Sequence, residues 1–191
     1  ASRNMLSTAE VARNAAEMKK QVQAMGLVNF DADKAEPGKP AALMLDNVHW
    51  LKMDLLEFAR EVTPHYSVNQ LIKREDFRNR LESNTPLSLF EFIYTALQGY
   101  DYLHLHDAYG CRVQMGGNDQ WLNIREGADL IRSKYNEARA RADAGAELTA
   151  VERARLERGG DAYSLTFPLL LDSTGAKMGK TTTGQAVWLA A

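Results

Sequence analysis

A long apolar segment with clear helix boundaries is the feature that most limits how this chain can fold. Ser88 and Glu91 have the spacing of a capping box, in which both side chains accept hydrogen bonds from backbone amides at a helix start. Apolar residues continue to Tyr109, and Gly110 is typical of a residue that ends a helix. The sequence therefore predicts a long, mostly buried helix that needs other elements packed around it.

Capping residues and apolar runs elsewhere predict helices that alternate with strands. Helices are predicted from Ser7 to about Met25, from Asp54, from Ser67, over residues 74–81, and from Asp119 to about Lys134. Runs typical of buried strands cover residues 41–45, 112–115 and 165–171. This order predicts an α/β fold with a sheet that is parallel at its centre. Ligands of such sheets bind beyond the carboxyl ends of the strands.

Composition limits the classes of site and partner. A chain of 191 residues with 45% hydrophobic residues has room for one core, so we expect one domain. The 23 Lys and Arg nearly balance the 25 Asp and Glu, so a nucleic-acid partner would need another basic surface. Cys111 is the only cysteine, which excludes an internal disulfide and fits a reducing compartment. No apolar run approaches the roughly 20 residues of a membrane span.

Three polar side chains lie at helical spacing on the long predicted helix. Tyr94, Gln98 and Asp101 fall at i, i+4 and i+7, which places them along one face. One interpretation is a stripe that faces solvent while the apolar residues point inward. The other is the wall of a pocket, where a carboxylate accepts from a ligand hydroxyl and an amide binds an amino or carboxylate group. Spacing alone leaves both open.

Two loops after predicted strands could bind phosphate or sugar groups. Gly116 and Gly117 allow close approach of a ligand to the backbone, and Asp119 could accept from ribose hydroxyls. Alternatively, Asn118 or Asp119 only caps the next helix, which is the commoner role of such a segment in isolation. In the later loop, residues 177–181 carry two lysines that suit a polyphosphate, although they lack the Gly-x-x-x-x-Gly-Lys spacing of a P-loop.

In order along the chain, these segments resemble the signature segments of bacterial-type tyrosyl-tRNA synthetases, a class I aminoacyl-tRNA synthetase family. The resemblance is carried by Tyr94-x-x-x-Gln98-x-x-Asp101, Gln114-x-Gly-Gly-x-Asp119-Gln120-Trp and Lys177-Met-Gly-Lys-Thr181. It extends through Asp46-Asn-Val-His-Trp50, His65-Tyr-Ser-Val-Asn69 and Ala186-Val-Trp-Leu189, and covers nearly the whole chain except residues 136–160. It implies a Rossmann-like catalytic domain with a parallel sheet.

The resemblance implies a ligase that activates tyrosine and transfers it to tRNA(Tyr). Asp101 would bind the phenolic hydroxyl of the substrate tyrosine, and Tyr94 and Gln98 would bind its ammonium group. Gln120 would lie beside the carboxylate that reacts. Gln114 would be a further member of the pocket.

ATP is the second substrate that the resemblance implies, with Mg²⁺ bound to it and with no tightly bound cofactor or protein metal site. Gly117 and Asp119 would bind the ribose. Lys177, Lys180 and Thr181 would contact the leaving pyrophosphate. Gly179 stands where many class I enzymes have a serine.

The resemblance also implies that residues 1–191 are one partial catalytic domain. The first strand and helix of the family's fold are expected before Ala1, and regions that bind tRNA after Ala191. None of the four histidines forms the His-x-Gly-His motif of class I enzymes, so we expect this piece alone to be inactive. An exposed insertion is expected at about 136–160. A cytoplasmic location is expected, with an organelle matrix as the alternative.

Residues of about 54–85 would form the helical segment that connects the two halves of the nucleotide fold. In this family that segment forms the interface of a homodimer. Phe58, Val62 and Tyr66 could equally belong to the internal core.

Two other functions compete with tyrosine activation. A relative that keeps the fold without adenylation would act as a binding or RNA-scaffold protein, and a tryptophan-activating relative shares the fold. The stripe of Tyr94, Gln98 and Asp101 favours tyrosine. His104 and His106 invite a metal site, but they alternate along the chain and lack an evident third ligand, so we interpret them as surface or boundary residues.

Overall fold

The structure is a computed structural model that describes residues 6–26, 28–35, 41–171, 175 and 178. The described residues divide into two units, one before Asn47 and after Leu170, and the other from Asn47 to Leu170. The helices and strands, in chain order, are α1 Thr8–Ala24, α2 Leu55–Glu61, α3 Val68–Leu71, α4 Glu75–Glu82, α5 Leu89–Tyr109, β1 Val113–Gly117, α6 Trp121–Asp143, α7 Ala150–Arg158 and β2 Tyr163–Phe167.

The first unit contains the predicted amino-terminal helix. Helix α1 begins after the capping box of Ser7 and Glu10, and Gly26 follows its end with φ of 68°. The strand predicted at residues 41–45 is wrong: this segment has no regular secondary structure, and the side chain of Leu43 is 66% exposed. An apolar run forms a strand only where a neighbouring strand pairs with its backbone, and periodicity cannot supply that information.

The core of the second unit lies where α5 and α6 pack against each other. The fully buried side chains there include Val62, Tyr102, Leu130 and Ile131. The hydroxyl of Tyr102 lies 2.7 Å from the carbonyl oxygen of Arg112 and 2.9 Å from that of Tyr163, so it links the segments at the starts of both strands. This core holds α5 beside the sheet.

Glycines allow α5 and α6 to approach closely. A Cβ at Gly99 would lie 3.4 Å from Cα of Gly127 and only 1.8 Å from the hydroxyl oxygen of Tyr66. Burial raises the pKa of the Tyr66 phenol, whose oxygen has no hydrogen-bond partner among the described residues. Phe58, Val62 and Tyr66 all belong to or pack against the core, so the internal alternative for these three residues is confirmed.

The prediction that α5 is mostly buried is only partly right. Thr95, Ala96, Gly99, Tyr102, Leu103 and His106 are buried. The first turn is open, since Leu89 is 73% exposed and Phe90 is 62% exposed. The capping box at Ser88 and the left-handed Gly110 are both present as predicted.

Strands β1 and β2 form a two-stranded parallel sheet, which confirms the predicted strand direction. Gln114 pairs with Ser164 and Gly117 with Phe167. Helix α6 packs against both strands. Strand β2 begins at Tyr163 and ends at Phe167, so it is shorter than the predicted run of 165–171 and starts earlier.

The segment of residues 136–160 is largely helical. Helix α6 continues to Asp143, beyond the predicted end near Lys134, and α7 follows it. Most residues are exposed or half-buried, as expected, but Ala138 and Arg155 are buried. Arg155 pairs with Asp107 of α5, with Nε 3.2 Å from Oδ1.

No helix in the described ranges has the length and apolar character needed to cross a membrane.

Candidate functional site

The glycine loop follows directly from the carboxyl end of β1. Gly116 and Gly117 are the last residues of the strand, and a short 3-10 helix, Asn118–Gln120, leads into α6. A Cβ at Gly117 would lie 2.5 Å from Cδ2 of Leu169 and 2.8 Å from Oδ1 of Asp119. The loop is therefore packed so closely that only glycine fits at position 117 without a shift of its neighbours.

A cluster of three side-chain amides joins α5 to the start of α6. We call Gln98, Gln120 and Asn123 the amide cluster. Nδ2 of Asn123 donates to Oε1 of Gln98 at 3.2 Å and to Oε1 of Gln120 at 3.4 Å. Nε2 of Gln98 lies 3.5 Å from Oε1 of Gln120. The cluster places polar groups from the predicted helix stripe and from the glycine loop together.

Arg74 and Thr95 support the amide cluster from the protein interior. Nη1 of Arg74 donates to Oδ1 of Asn123 at 2.8 Å and to Oγ1 of Thr95 at 3.2 Å. Asn123 and Thr95 are buried. Buried amides and hydroxyls are stable only when their hydrogen bonds are satisfied, so these contacts fix the orientation of Asn123.

Asp101 is held by two side chains from a distant part of the chain. Its Oδ1 accepts from the indole nitrogen of Trp50 at 2.7 Å, and its Oδ2 accepts from Nδ2 of Asn47 at 3.1 Å. The Trp50 ring stacks on His104, one turn further along α5, with ring centroids 4.4 Å apart. The carboxylate is thus oriented rather than free to rotate, and each oxygen retains lone-pair capacity for a ligand donor.

The other predicted tyrosine-site residues have less contact with this network. Tyr94 is 53% exposed, and its ring lies edge-on to that of Phe90, with the centroids 6.4 Å apart. Gln114 lies on β1, and its Oε1 is buried without a hydrogen-bond partner among the described residues. A buried acceptor of this kind is a candidate for contact with a ligand.

The polar stripe of α5 is more than a solvent-facing surface. Gln98 and Asp101 are half-buried and bonded to residues of other elements, whereas Tyr94 is exposed. The predicted lysine loop, with Lys177, Gly179, Lys180 and Thr181, lies outside the described residues.

Sequence reasoning missed the residues that support the site. These are Asn47, Trp50, Arg74, Thr95 and Asn123. Asn47 and Trp50 lie in the segment Asp46-Asn-Val-His-Trp50, which carries part of the resemblance but had no assigned role. Asn123 lies three residues after Gln120 on the same helical turn, which is a local signal.

The two histidines near Asp101 are packed among protein side chains. His104 is half-buried and stacks on Trp50, as expected of a boundary residue. His106 is fully buried with Nδ1 3.3 Å from Oδ1 of Asp107, so its interpretation as a surface or boundary residue is wrong. Within the described residues there is no group of three or more His, Cys, Asp or Glu side chains placed to hold a metal ion. Two clefts, of about 1120 and 620 Å³, have mixed charged linings and contain none of the predicted site residues, although Arg74 lines the smaller one.

Comparisons with known proteins identify the family to which the chain is similar. A family model described as tRNA synthetases class I (W and Y) matches residues 1–191. The chain is 42% identical over 188 residues to a tyrosine–tRNA ligase of Desulfatibacillum aliphaticivorans, with 98% of this chain and 36% of the relative aligned. It is 40% identical over 190 residues to a tyrosine–tRNA ligase of Opitutus terrae, with 99% and 37% aligned. The chain thus spans little more than a third of these curated relatives.

Solved structures show the same fold. A C-terminally truncated mitochondrial tyrosyl-tRNA synthetase of Aspergillus nidulans superposes with a TM-score of 0.63 at 24% identity, over 93% of this chain and 48% of that one. The corresponding truncated enzyme of Coccidioides posadasii gives a TM-score of 0.65 at 24% identity, over 92% and 47%. The parallel sheet with its flanking helices therefore has counterparts in known enzymes.

Proposed function

The chain belongs to the class I tRNA synthetases of the tryptophan and tyrosine family, and from this premise we propose that the full-length protein is a tyrosine–tRNA ligase. The observation that carries the proposal is the convergence of Asp101, the amide cluster and the glycine loop beside the end of a parallel strand. This arrangement offers an acceptor for a phenol, amides for a charged amino-acid end and a loop for a ribose.

The proposed reaction has two steps. A carboxylate oxygen of tyrosine attacks the α-phosphorus of ATP, and pyrophosphate leaves as the tyrosyl-adenylate forms. A terminal ribose hydroxyl of tRNA(Tyr) then attacks the acyl carbon, and AMP leaves. Positioning and charge stabilisation dominate such phosphoryl chemistry, so a site of amides, glycines and lysines is sufficient without a protein nucleophile.

Asp101 would select tyrosine. The phenolic hydroxyl donates to the carboxylate, which Trp50 and Asn47 hold in place. Phenylalanine would place an apolar ring edge where the tyrosine hydroxyl would donate, so the carboxylate would lose contact with water without gaining a donor from the ligand. This loss costs free energy that tyrosine binding does not. Gln114 would contribute its buried oxygen to the same pocket.

The charged end of the amino acid would lie further along α5. Tyr94 and Gln98 would bind the ammonium group, and Gln120 would contact the carboxylate. Tyr94 is exposed, so its side chain is accessible to a ligand.

ATP would bind as its magnesium complex across the glycine loop. Gly117 and Asp119 would contact the ribose. Lys177, Lys180 and Thr181, with Gly179 between the lysines, would stabilise the negative charge of the departing pyrophosphate. Magnesium would be part of the substrate rather than a resident metal.

Replacing Gly117 with alanine is expected to weaken ATP binding selectively. The new Cβ would contact Leu169 and Asp119, so the loop or the Asp119 carboxylate must move. We expect the KM for ATP in pyrophosphate exchange to rise by roughly 10-fold, the effect of losing about one hydrogen bond, with a smaller change in the KM for tyrosine. Asn118→Ala, an exposed neighbour, is the control, and equal KM values for ATP in the two variants would contradict the assignment.

We also propose that the full-length protein is a cytoplasmic homodimer. Leu55 and Leu56 of the 54–85 segment are 76% and 65% exposed, which supports an interface there. Light scattering of the full-length protein at micromolar concentration is expected to give twice the mass of one full-length chain. A monomer would contradict the dimer.

Amino-acid-dependent ATP–pyrophosphate exchange tests the proposed function. The full-length protein is expected to exchange pyrophosphate with tyrosine and to charge tRNA(Tyr). Exchange that depends on tryptophan would identify the tryptophan-activating alternative, and an absence of exchange with every amino acid would favour the scaffold alternative.

A further inference from the structure

The support beneath the amide cluster determines which atoms the cluster presents to a ligand. The guanidinium of Arg74 has only N–H groups, so the atom of Asn123 that faces it at 2.8 Å must be the oxygen. The amide nitrogen of Asn123 therefore points toward the two glutamines, whose oxygens must face it. A charged donor thus sets the orientation of three neutral amides in sequence.

The only side-chain groups that Gln120 can still offer to a ligand are its N–H donors. Its Oε1 accepts from Asn123 at 3.4 Å and from Gln98 at 3.5 Å, which uses both lone pairs. Its two N–H groups have no acceptor within the described part of the chain. Such a group suits a carboxylate or phosphate oxygen and repels an ammonium group.

Gln98 differs from Gln120 in the hydrogen-bonding capacity that it keeps for a ligand. Its Oε1 accepts one hydrogen bond, from Asn123 at 3.2 Å, and keeps one lone pair. Gln98 can therefore still accept from an ammonium group while Gln120 donates to an anionic one. The two glutamines together therefore suit the ammonium and carboxylate groups of an amino-acid zwitterion.

We propose that Arg74 and Asn123 are positioning residues that make Gln120 a pure donor for the carboxylate during amino-acid activation. This inference rests on the proposed function. Two contacts hold Arg74 in place. Its guanidinium lies over the Phe77 ring, with Cζ 5.0 Å from the ring centroid, and it donates to Thr95. Neither Arg74 nor Asn123 needs to touch the substrate to act.

Asn123→Asp is the sharpest test because it changes one donor group and almost no volume. The aspartate keeps an oxygen toward Arg74 but turns a second oxygen toward the glutamines. Both glutamines are then expected to rotate and donate to it, so that Gln120 presents its oxygen to the substrate carboxylate.

In the full-length protein, Asn123→Asp is expected to lower kcat for tyrosine-dependent pyrophosphate exchange by roughly 10- to 100-fold, the range for a hydrogen bond to a charged group. The KM for ATP is expected to change little. Asn136→Asp, the same change at an exposed position of α6, is the matched control and is expected to keep the original rate.

A double-mutant cycle separates positioning from a structural role. If Asn123 acts through Gln120, then Asn123→Asp has little further effect in a Gln120→Ala background. A structural role would instead give multiplicative losses and a lower unfolding midpoint. Arg74→Met provides a second route, since it removes the donor that orients Asn123 and is expected to show the same non-additivity with Gln120→Ala.

The outcomes distinguish this inference from the proposed function. No exchange by the unmodified protein would overturn both. Exchange by the unmodified protein together with an unchanged rate in Asn123→Asp, or with multiplicative losses in the cycle, would overturn the positioning role alone.

Discussion

Asp101→Ala in the full-length protein is expected to lower kcat/KM for tyrosine in pyrophosphate exchange by roughly 100-fold, because a hydrogen bond between a phenol and a carboxylate is lost in the pocket. The substitution also leaves the Trp50 indole N–H and the Asn47 amide without their acceptor. Phenylalanine loses no hydrogen bond, so the preference for tyrosine over phenylalanine is expected to narrow. Exchange measured with both amino acids checks the two effects together.

Asp143→Ala is a matched control for Asp101→Ala. Asp143 ends α6 and pairs with Arg139 on the surface, with Nε 3.3 Å from Oδ1, far along the helix from Gln120. Exposed pairs of this kind contribute little to stability, so this variant is expected to retain its activity. Equal activity of the two variants, or an unchanged tyrosine preference in Asp101→Ala, would remove Asp101 from the pocket.

Gly99→Ala is expected to be among the most destabilising single changes in the core, by about 1–3 kcal/mol in the free energy of unfolding. Its Cβ would lie 1.8 Å from the hydroxyl oxygen of Tyr66 and 3.4 Å from Cα of Gly127, where α5 and α6 meet. Either the Tyr66 ring or one of the helices must move. Denaturant unfolding of the full-length protein measures the loss.

Tyr66→Phe provides the control for Gly99→Ala. It removes the hydroxyl that the new Cβ would meet, and that hydroxyl has no hydrogen-bond partner among the described residues. Alone, Tyr66→Phe is therefore expected to be neutral or stabilising, and it is expected to recover much of the stability lost in Gly99→Ala. Independent, additive losses in the two variants would show that the clash is not the cause.

The boundaries of α1 and α5 were predictable because their signals are local. The capping boxes at Ser7 and Ser88 and the glycine at 110 act within one turn of the chain. The end of α6 was predicted too early because the residues after Lys134 lack apolar anchors, although their Ala, Arg and Glu content favours a helix. Strand pairing is non-local, which is why residues 41–45 were misassigned.

The candidate site also has parts with local sequence signals and parts formed by long-range contacts. The stripe on α5 and the glycine loop were visible as local patterns because their members are close in the sequence, although only the family resemblance gave those patterns a binding role. Their partners could not, because Asn47 and Trp50 lie 54 and 51 residues from Asp101, and Arg74 lies 49 residues from Asn123. Hydrogen bonds across such distances depend on how the helices pack.

A crystal structure of the full-length protein with a non-hydrolysable tyrosyl-adenylate analogue would show whether Asp101, Gln120 and the glycine loop bind the ligand as proposed. The phenolic oxygen is expected within hydrogen-bonding distance of Asp101, the acyl group beside the Gln120 amide nitrogen, and the ribose against Gly117 and Asp119. A tyrosyl ring bound away from Asp101, or a ribose bound away from the glycine loop, would contradict the proposed binding mode.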